Sequence, residues 1–124
     1  MKLYCDEDIG TRVPKALKLV GLRAESAVSR GMISEPDVQW LQRVGQKRWL
    51  GISCNKNVLQ VPEERDAIIT YKVGIIFFTS GNLTPKEKLL IILRKWDWME
   101  QIDENETRPF AYHVNAKCQI RKVL

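Results

Sequence analysis

Short apolar runs alternate along the chain with segments whose apolar residues recur at helical spacing. The runs have the length and apolar character that are typical of strands, and they cover residues 3–5, 22–28, 49–53 and 73–78. Two further runs, residues 110–114 and 119–123, flank the turn Asn115-Ala116-Lys117 and predict a C-terminal hairpin. Each run is therefore interpreted as one strand.

The first two segments between these runs carry helix start and stop signals. Thr11 is positioned to cap the first helix, and Gly21 ends it. The apolar face of this helix is predicted to contain Val13, Ala16, Leu17 and Val20. Ser34 and Asp37 have the spacing of a capping box, so we expect a second helix that ends before Gly45.

The two later segments have proline in their first helical turn. Pro62 begins a third helix, with Ala67, Ile68 and Tyr71 facing inward. Thr84-Pro85-Lys86-Glu87 supplies the cap, the proline and the capping-box acid of a fourth helix. The apolar residues of this helix recur at helical spacing and are Leu89, Leu90, Ile92, Leu93, Trp96 and Met99.

Strands and helices that alternate in this way predict an α/β fold. We expect a three-layer α/β/α sandwich around a mainly parallel sheet, with the hairpin at its C-terminal end. The chain contains no internal repeat, low-complexity stretch or linker. Because 124 residues are enough to form a core without disulfides, a single domain over residues 1–124 is predicted.

The chain is moderately basic. Lysine and arginine outnumber aspartate and glutamate by 20 to 15, which gives a net charge of +5 at pH 7. This excess is compatible with a polyanionic partner, RNA or DNA, although the basic residues are scattered and a solvated surface also explains them. The absence of a membrane-length apolar run and of a secretory signal predicts a cytoplasmic protein without membrane contact.

Cysteine and histidine do not form a recognisable site. The three cysteines are Cys5, Cys54 and Cys118. Their odd number and wide spacing support neither a disulfide framework nor a zinc site, and predict small buried hydrophobes. The single histidine, His113, alternates with apolar residues and is expected to be structural. Trp40 and Trp96 lie on apolar helix faces and are predicted to be core residues.

Acidic residues collect where the first predicted strand ends. Asp6-Glu7-Asp8 follows that strand directly. In a parallel sheet the strand ends at Asp6, Asn55 and Asn82 open on one edge, where α/β proteins bind ligands. Asp37, at the start of the second helix, leans over the same edge. Because Mg²⁺ and Mn²⁺ prefer oxygen ligands and activate water for phosphodiester cleavage, the predicted metal ligands are Asp6, Asp8 and Asp37.

A second interpretation of these acids needs no metal. The run after the first strand also suits a solvated loop with an acidic cap for the next helix. Asp37 occupies the third position of a helix that Ser34 would cap, where a capping-box acid belongs. The two roles of Asp37 are compatible, and the sequence leaves both open.

An ordered series of short motifs resembles the PIN-like domain family, in particular its small VapC-type toxin members. The series consists of Asp6 after the first strand, Pro36-Asp37, Trp40-Leu41, Val44-Gly45, Trp49, Ser53 to Val58, Pro62 to Arg65, Gly81 to Thr84 and Pro109-Phe110. It covers nearly the whole chain. The tryptophans and the Gly-Asn-Leu-Thr block are its more specific parts.

The resemblance implies a metal-dependent ribonuclease, a hydrolase that cleaves RNA at an acidic Mg²⁺ or Mn²⁺ site. By position, Asp6 would be a primary metal ligand and Asp37 the helix-borne acid. The third expected acid falls at Asn55, whose neutral amide weakens cation binding. Asp8 lies on the same side as Asp6 in an extended conformation and partly compensates. Many members are toxins, so a cognate antitoxin is an implied partner.

Two other functions remain open at this point. Asn55 is compatible with a catalytically degenerate PIN-like module that binds nucleic acid or a protein partner. A purely structural subunit, in which the acids act only as caps, is the third alternative. A homodimer is also expected, because small domains with exposed aromatic residues often self-associate.

Overall fold

The computed structural model describes residues 1–27 and 36–124. The strands in these ranges are β1 (Leu3–Cys5), β2 (Ala24–Ser26), β3 (Leu50–Ser53), β4 (Gly74–Phe78), β5 (Phe110–Val114) and β6 (Ile120–Lys122). The helices are α1 (Arg12–Leu19), α2 (Asp37–Lys47), α3 (Pro62–Thr70) and α4 (Pro85–Asn105). The 3₁₀ helices Glu7–Ile9 and Lys56–Gln60 follow β1 and β3. β2 is shorter than predicted, and Val28 lies outside the described residues.

The strands form one sheet in the order β2-β1-β3-β4-β5-β6. Neighbouring strands from β2 to β5 are parallel, whereas β6 pairs with β5 in the antiparallel direction. The predicted α/β fold and its C-terminal hairpin are confirmed. The chain crosses from β1 to β2 on one side and later returns to β3 on the other. The connections therefore diverge between β1 and β3, which leaves a crevice at their carboxyl ends.

Helices cover both faces of the sheet, and each face has its own apolar core. On one face Leu3 and Ile52 pack with residues of α1 and α4, among them Trp96. On the other face Trp40 and Phe77 pack with residues of α2 and α3. Trp40 and Trp96 are buried, as predicted. Strands β3 and β4 are buried at every residue, which explains their continuous apolar runs.

The expected end of the second helix before Gly45 is wrong. α2 continues to Lys47, and its C-cap is Arg48, whose φ of 53° lies in the left-handed region. Gly45 instead lies against the end of α3, where a Cβ atom would approach the carbonyl oxygen of Tyr71 to 2.3 Å. This glycine permits a close approach between two helices rather than a helix end.

The apolar faces predicted for α1 and α4 are correct only in part. Val20, Leu90 and Leu93 are exposed to 66%, 38% and 40%. They face solvent because each helix contacts the sheet along a narrower stripe, which in α4 includes Ile92 and Met99. The capping box at the start of α4 is confirmed by reciprocal side-chain to backbone hydrogen bonds, whereas the Thr11 side chain makes no capping hydrogen bond to α1.

The cysteines are free, and they differ in burial. Cys5 is buried as predicted, whereas Cys54 and Cys118 are only partly buried and pack against the edge of one core. Among the helices of the described ranges, none is both long and apolar enough to cross a membrane.

Candidate active site

Two aspartates connect the carboxyl ends of β1 and β3. Asp6 follows β1 and accepts a hydrogen bond from the backbone N–H of Glu7 at 2.8 Å, at the start of the 3₁₀ turn Glu7–Ile9. The turn returns Asp8 toward β3, where its Oδ1 atom accepts from the backbone N–H of Cys54 at 3.0 Å. Both carboxyl groups therefore lie in the crevice where the strand connections diverge.

The hydroxyl of Ser53, the last residue of β3, lies between these aspartates. Its oxygen is 3.0 Å from Asp6 Oδ2 and 3.2 Å from Asp8 Oδ2, and it accepts from the backbone N–H of Asn55 at 3.0 Å. A hydroxyl has one proton to donate, so it cannot fully satisfy two ionised carboxylates at once. A proton on one carboxyl group, or a cation between them, relieves this deficit.

The electrostatic environment opposes full ionisation of this pair. Burial, together with the charges of Asp8 and Asp37, raises the pKa of Asp6 to about 6, although hydrogen bonds from Glu7 and Ser53 act against the shift. Burial also raises the pKa of Asp8, with a smaller contribution from Asp37, while Lys88 opposes it. The raised pKa values come chiefly from burial, to which the neighbouring acids add, and shifts of this kind are common in functional clefts.

Asp37 is the first residue of α2, and not the third as capping-box spacing would require. Pro36 occupies the N-cap position, and the predicted capping residue Ser34 lies outside the described residues. The Asp37 carboxylate accepts a hydrogen bond from Trp40 Nε1 at 2.7 Å. Its charge acts on both Asp6 and Asp8, so Asp37 lies on the same side of the molecule as the aspartate pair.

Glu64, in the first turn of α3, adds an acid that the sequence interpretation missed as a site residue. Burial, a hydrogen bond with Asp37 and the charges of Asp37 and Glu63 raise the pKa of Glu64. Neighbouring carboxyl groups disfavour each other's ionisation. The sequence signals were the acidic start of α3 and the family-like block Pro62 to Arg65, but no local spacing connects Glu64 to a residue 27 positions earlier.

Asn55 contributes to this edge mainly through its backbone. It follows β3 at the N-cap position of the 3₁₀ helix Lys56–Gln60, and its side chain is exposed. Its backbone N–H orients the Ser53 hydroxyl. The side-chain amide is neutral and adds no charge at this edge of the sheet.

A cavity of about 410 Å³, here called the strand-end cavity, opens next to the aspartate pair. It is lined by Asp8, Cys54, Lys56, Phe78, Thr79, Ser80, Gly81, Asn82, Leu83 and Lys88. Lys88, in the second turn of α4, donates a hydrogen bond to the backbone carbonyl of Asp8 at 3.0 Å. A cationic side chain therefore holds the acidic turn against the cavity.

The donor chemistry of this edge suits a hard divalent cation, because carboxylate and hydroxyl oxygens are what Mg²⁺ and Mn²⁺ prefer. Within residues 1–27 and 36–124, no three side chains of His, Cys, Asp or Glu lie close enough together to form a complete metal cluster. The acids are instead arranged as two pairs, Asp6 with Asp8 and Asp37 with Glu64. Their mutual repulsion is the feature that a cation would neutralise.

Comparison with known proteins gives one match. A family model described as a PIN-like domain matches residues 1–80, which is more than half of the 124-residue chain. The matched range contains both acid pairs and Ser53, and it ends just after β4. Neither the curated proteins nor the solved structures contain a match to this chain.

Proposed function

The chain belongs to the PIN-like domain family, and we propose that it is a metal-dependent ribonuclease. In this proposal Asp6 and Asp8 hold Mg²⁺ or Mn²⁺ at the crevice between β1 and β3. Asp37 does not complete a three-acid cluster with them among the described residues, and it adds its negative charge from the start of α2. The substrate is RNA, and the reaction is hydrolysis of a phosphodiester bond. When bound, the cation would lower the pKa of a water molecule and stabilise the leaving oxygen.

The observation that carries the proposal is the Ser53 hydroxyl between two carboxyl groups. Asp6 and Asp8 come from one turn, and Ser53 holds them within 3.0 and 3.2 Å of the same oxygen atom. Carboxylates without a counterion are unfavourable in this position, since burial and each other's charge raise the pKa of Asp6 to about 6. A purely capping role would explain the Asp6 contact with Glu7 but not the convergence of Asp8 on Ser53.

The remaining residues support the acids in different ways. Trp40 fixes the carboxylate of Asp37 through its indole N–H. Burial and the charge of Asp37 raise the pKa of Glu64, so a cation bound nearby would favour loss of its proton. Lys88 anchors the turn that carries Asp8.

The proposal is tested by cleavage of a labelled RNA of mixed sequence in the presence of Mn²⁺. We expect EDTA to abolish cleavage, and Asp6→Asn to reduce its rate by about 100-fold or more, because one metal ligand is lost. Asp97→Asn is the matched control, since Asp97 is exposed on α4 away from the acid pairs. Cleavage by Asp6→Asn at the rate of the wild-type protein would refute the assignment.

A second function, a degenerate PIN-like module that binds without cleaving, is favoured by the amide at Asn55. A carboxylate at this position would add one negative charge beside Asp6 and Asp8. We therefore expect Asn55→Asp to bind Mn²⁺ about tenfold more tightly in calorimetry, because one additional close charge contributes on the order of 1.4 kcal/mol.

The same variant separates the two functions. If the wild-type protein is degenerate, RNA cleavage appears only in Asn55→Asp. Equal turnover by the wild-type protein and the variant argues against degeneracy. A toxin role would follow if expression of the active chain arrests bacterial growth and a co-expressed antitoxin protein restores it.

A further inference from the structure

The C-terminal hairpin bears a second, larger cavity, which we call the hairpin cavity. Its volume is about 540 Å³, and it is lined by Lys56, Gln60, Thr79, His113, Asn115, Gln119, Ile120 and Arg121. Of these described residues none carries a carboxylate, whereas two carry a full positive charge. The hairpin cavity is therefore basic, whereas the carboxyl ends of β1 and β3 are acidic.

The sheet register connects this cavity to the aspartate pair. Ser53 pairs with Phe77, Phe77 with His113, and His113 with Arg121. Paired residues on neighbouring strands point to the same face of a sheet, so these side chains form one row across β3 to β6. Three strand spacings separate the ends of this row, which places Arg121 roughly 14 Å from Ser53 along the sheet.

The two cavities also share part of their walls. Lys56 and Thr79 line both the strand-end cavity and the hairpin cavity. Asp8 also lines the strand-end cavity. A continuous groove therefore leads from the acid pair, past Lys56, to Arg121 on the hairpin.

Two cations of this groove, Lys56 and Arg121, are available for a ligand, whereas Lys88 donates to the backbone carbonyl of Asp8. Within the described ranges, Lys56 and Arg121 form no ion pair, in contrast to Lys2, Arg108 and Lys122, which contact carboxylates. Burial and the charges of Arg121 and Lys56 lower the pKa of His113, so both cations act electrostatically on this histidine. The Asn115 and Gln119 side chains bond to each other at 2.7 Å.

We propose that Lys56 and Arg121 form a phosphate-binding subsite that holds the backbone of an RNA strand beside the acid pair. The subsite rests on the proposed ribonuclease function, since it supplies that reaction's substrate-binding contacts. Unpaired cations in a groove favour a polyanion. Because the side chains of Asn115 and Gln119 bond to each other, few side-chain donors and acceptors of the cavity are left to recognise bases. Arg121 lies outside the family-matched residues 1–80, so this contact comes from the chain's own C-terminal hairpin.

The test measures binding of a fluorescein-labelled, single-stranded RNA 12-mer of mixed sequence to the full chain in EDTA, so that cleavage does not interfere. In the double variant Lys56→Gln/Arg121→Gln we expect affinity to fall about tenfold or more. The slope of log affinity against log salt should decrease by about 1.4, because two phosphate contacts are lost. The control is Lys47→Gln/Arg94→Gln, two exposed cations outside the groove, which should change neither quantity.

His113 provides an independent readout, because it is the only histidine of the chain. Its imidazole proton signal should shift when RNA is added to the wild-type protein, and much less in the double variant. Affinity and salt slope that are unchanged in the double variant, with wild-type thermal unfolding, would overturn the subsite. In that case, RNA cleavage by the wild-type protein in Mn²⁺ would still support the nuclease function. If instead the double variant loses affinity but the wild-type protein does not cleave RNA, the result supports the subsite and contradicts the nuclease function.

Discussion

The Ser53 hydroxyl cannot donate a hydrogen bond to both of the carboxyl groups beside it. It lies within hydrogen-bond distance of Asp6 and Asp8 but has one proton to offer. Another buried acid, Asp103, illustrates the contrast, because Arg108 contacts it at 2.5 Å and Arg48 at 3.7 Å. Burial of a carboxylate therefore does not by itself indicate a functional site. A buried carboxylate without an ion-pair partner is the stronger indication.

The raised pKa of Asp6 predicts a pH-dependent cost in stability. Because the folded-state pKa is raised from 3.8 to about 6, the folded protein holds the proton more tightly than the unfolded chain does. The free energy of unfolding should therefore fall as pH rises from about 4 through about 6, and the penalty is full above that window. Asp6→Asn removes the charge and is expected to stabilise the protein by roughly 2 kcal/mol at pH 7.5.

This prediction is checked by urea unfolding at pH 7.5 and pH 4, with EDTA present to exclude metal ions. The gain in the variant should be largest at pH 7.5 and nearly absent at pH 4, where Asp6 of the wild-type protein is neutral. An Asp6→Asn variant less stable than the wild-type protein at pH 7.5 would contradict it.

At this scale the sequence indicated part of the candidate site, whose function stays a prediction. Asp6, Asp8 and Asp37 were selected because acids follow a strand or begin a helix that overhangs it, and the structure brings the first two together. Ser53 and Glu64 were not assigned a role. Their contribution depends on contacts between segments far apart in the chain, which no local spacing encodes.

At the scale of elements, α2 and α3 show why a glycine is ambiguous in sequence. Gly45 resembles a helix end because glycine commonly follows the last helical turn. In the structure it lies inside α2, with the backbone of Tyr71 where its side chain would be. The capping box of α4, by contrast, is formed within four consecutive residues and was therefore predictable.

Gly45→Ala should consequently destabilise the protein although alanine is the better helix former. Its Cβ atom would lie 2.3 Å from a backbone oxygen that no side-chain rotation can move. We expect a loss of about 1 to 3 kcal/mol, which exceeds the gain of about 1 kcal/mol in helix propensity. Gly81→Ala is the control, because nothing lies within 4 Å of its added Cβ atom.

Urea unfolding of both variants provides the comparison. Gly81→Ala should differ little from the wild-type protein. Equal stability of Gly45→Ala and the wild-type protein would mean that the two helices separate at negligible cost.

At the scale of the whole molecule, the alternation of strands and helices was enough to predict the sheet and its helical layers. It was not enough to predict the strand order, because register and neighbour choice depend on which apolar faces pack together. That order, β2-β1-β3-β4-β5-β6, is what places the crevice between β1 and β3 and the basic hairpin at the far edge. The groove between them is thus a property of topology rather than of any motif.

The wholly buried strand β4 has a further consequence. Its neighbour β5 lies beyond residue 80, so a fragment limited to residues 1–80 would retain both pairs of acids. It would also leave β4 (Gly74–Phe78) as an apolar edge strand with unpaired backbone N–H and C=O groups. Such edge strands pair with other chains and aggregate. Shortening this protein to the residues that match the family model would give an aggregating fragment instead of a smaller folded domain.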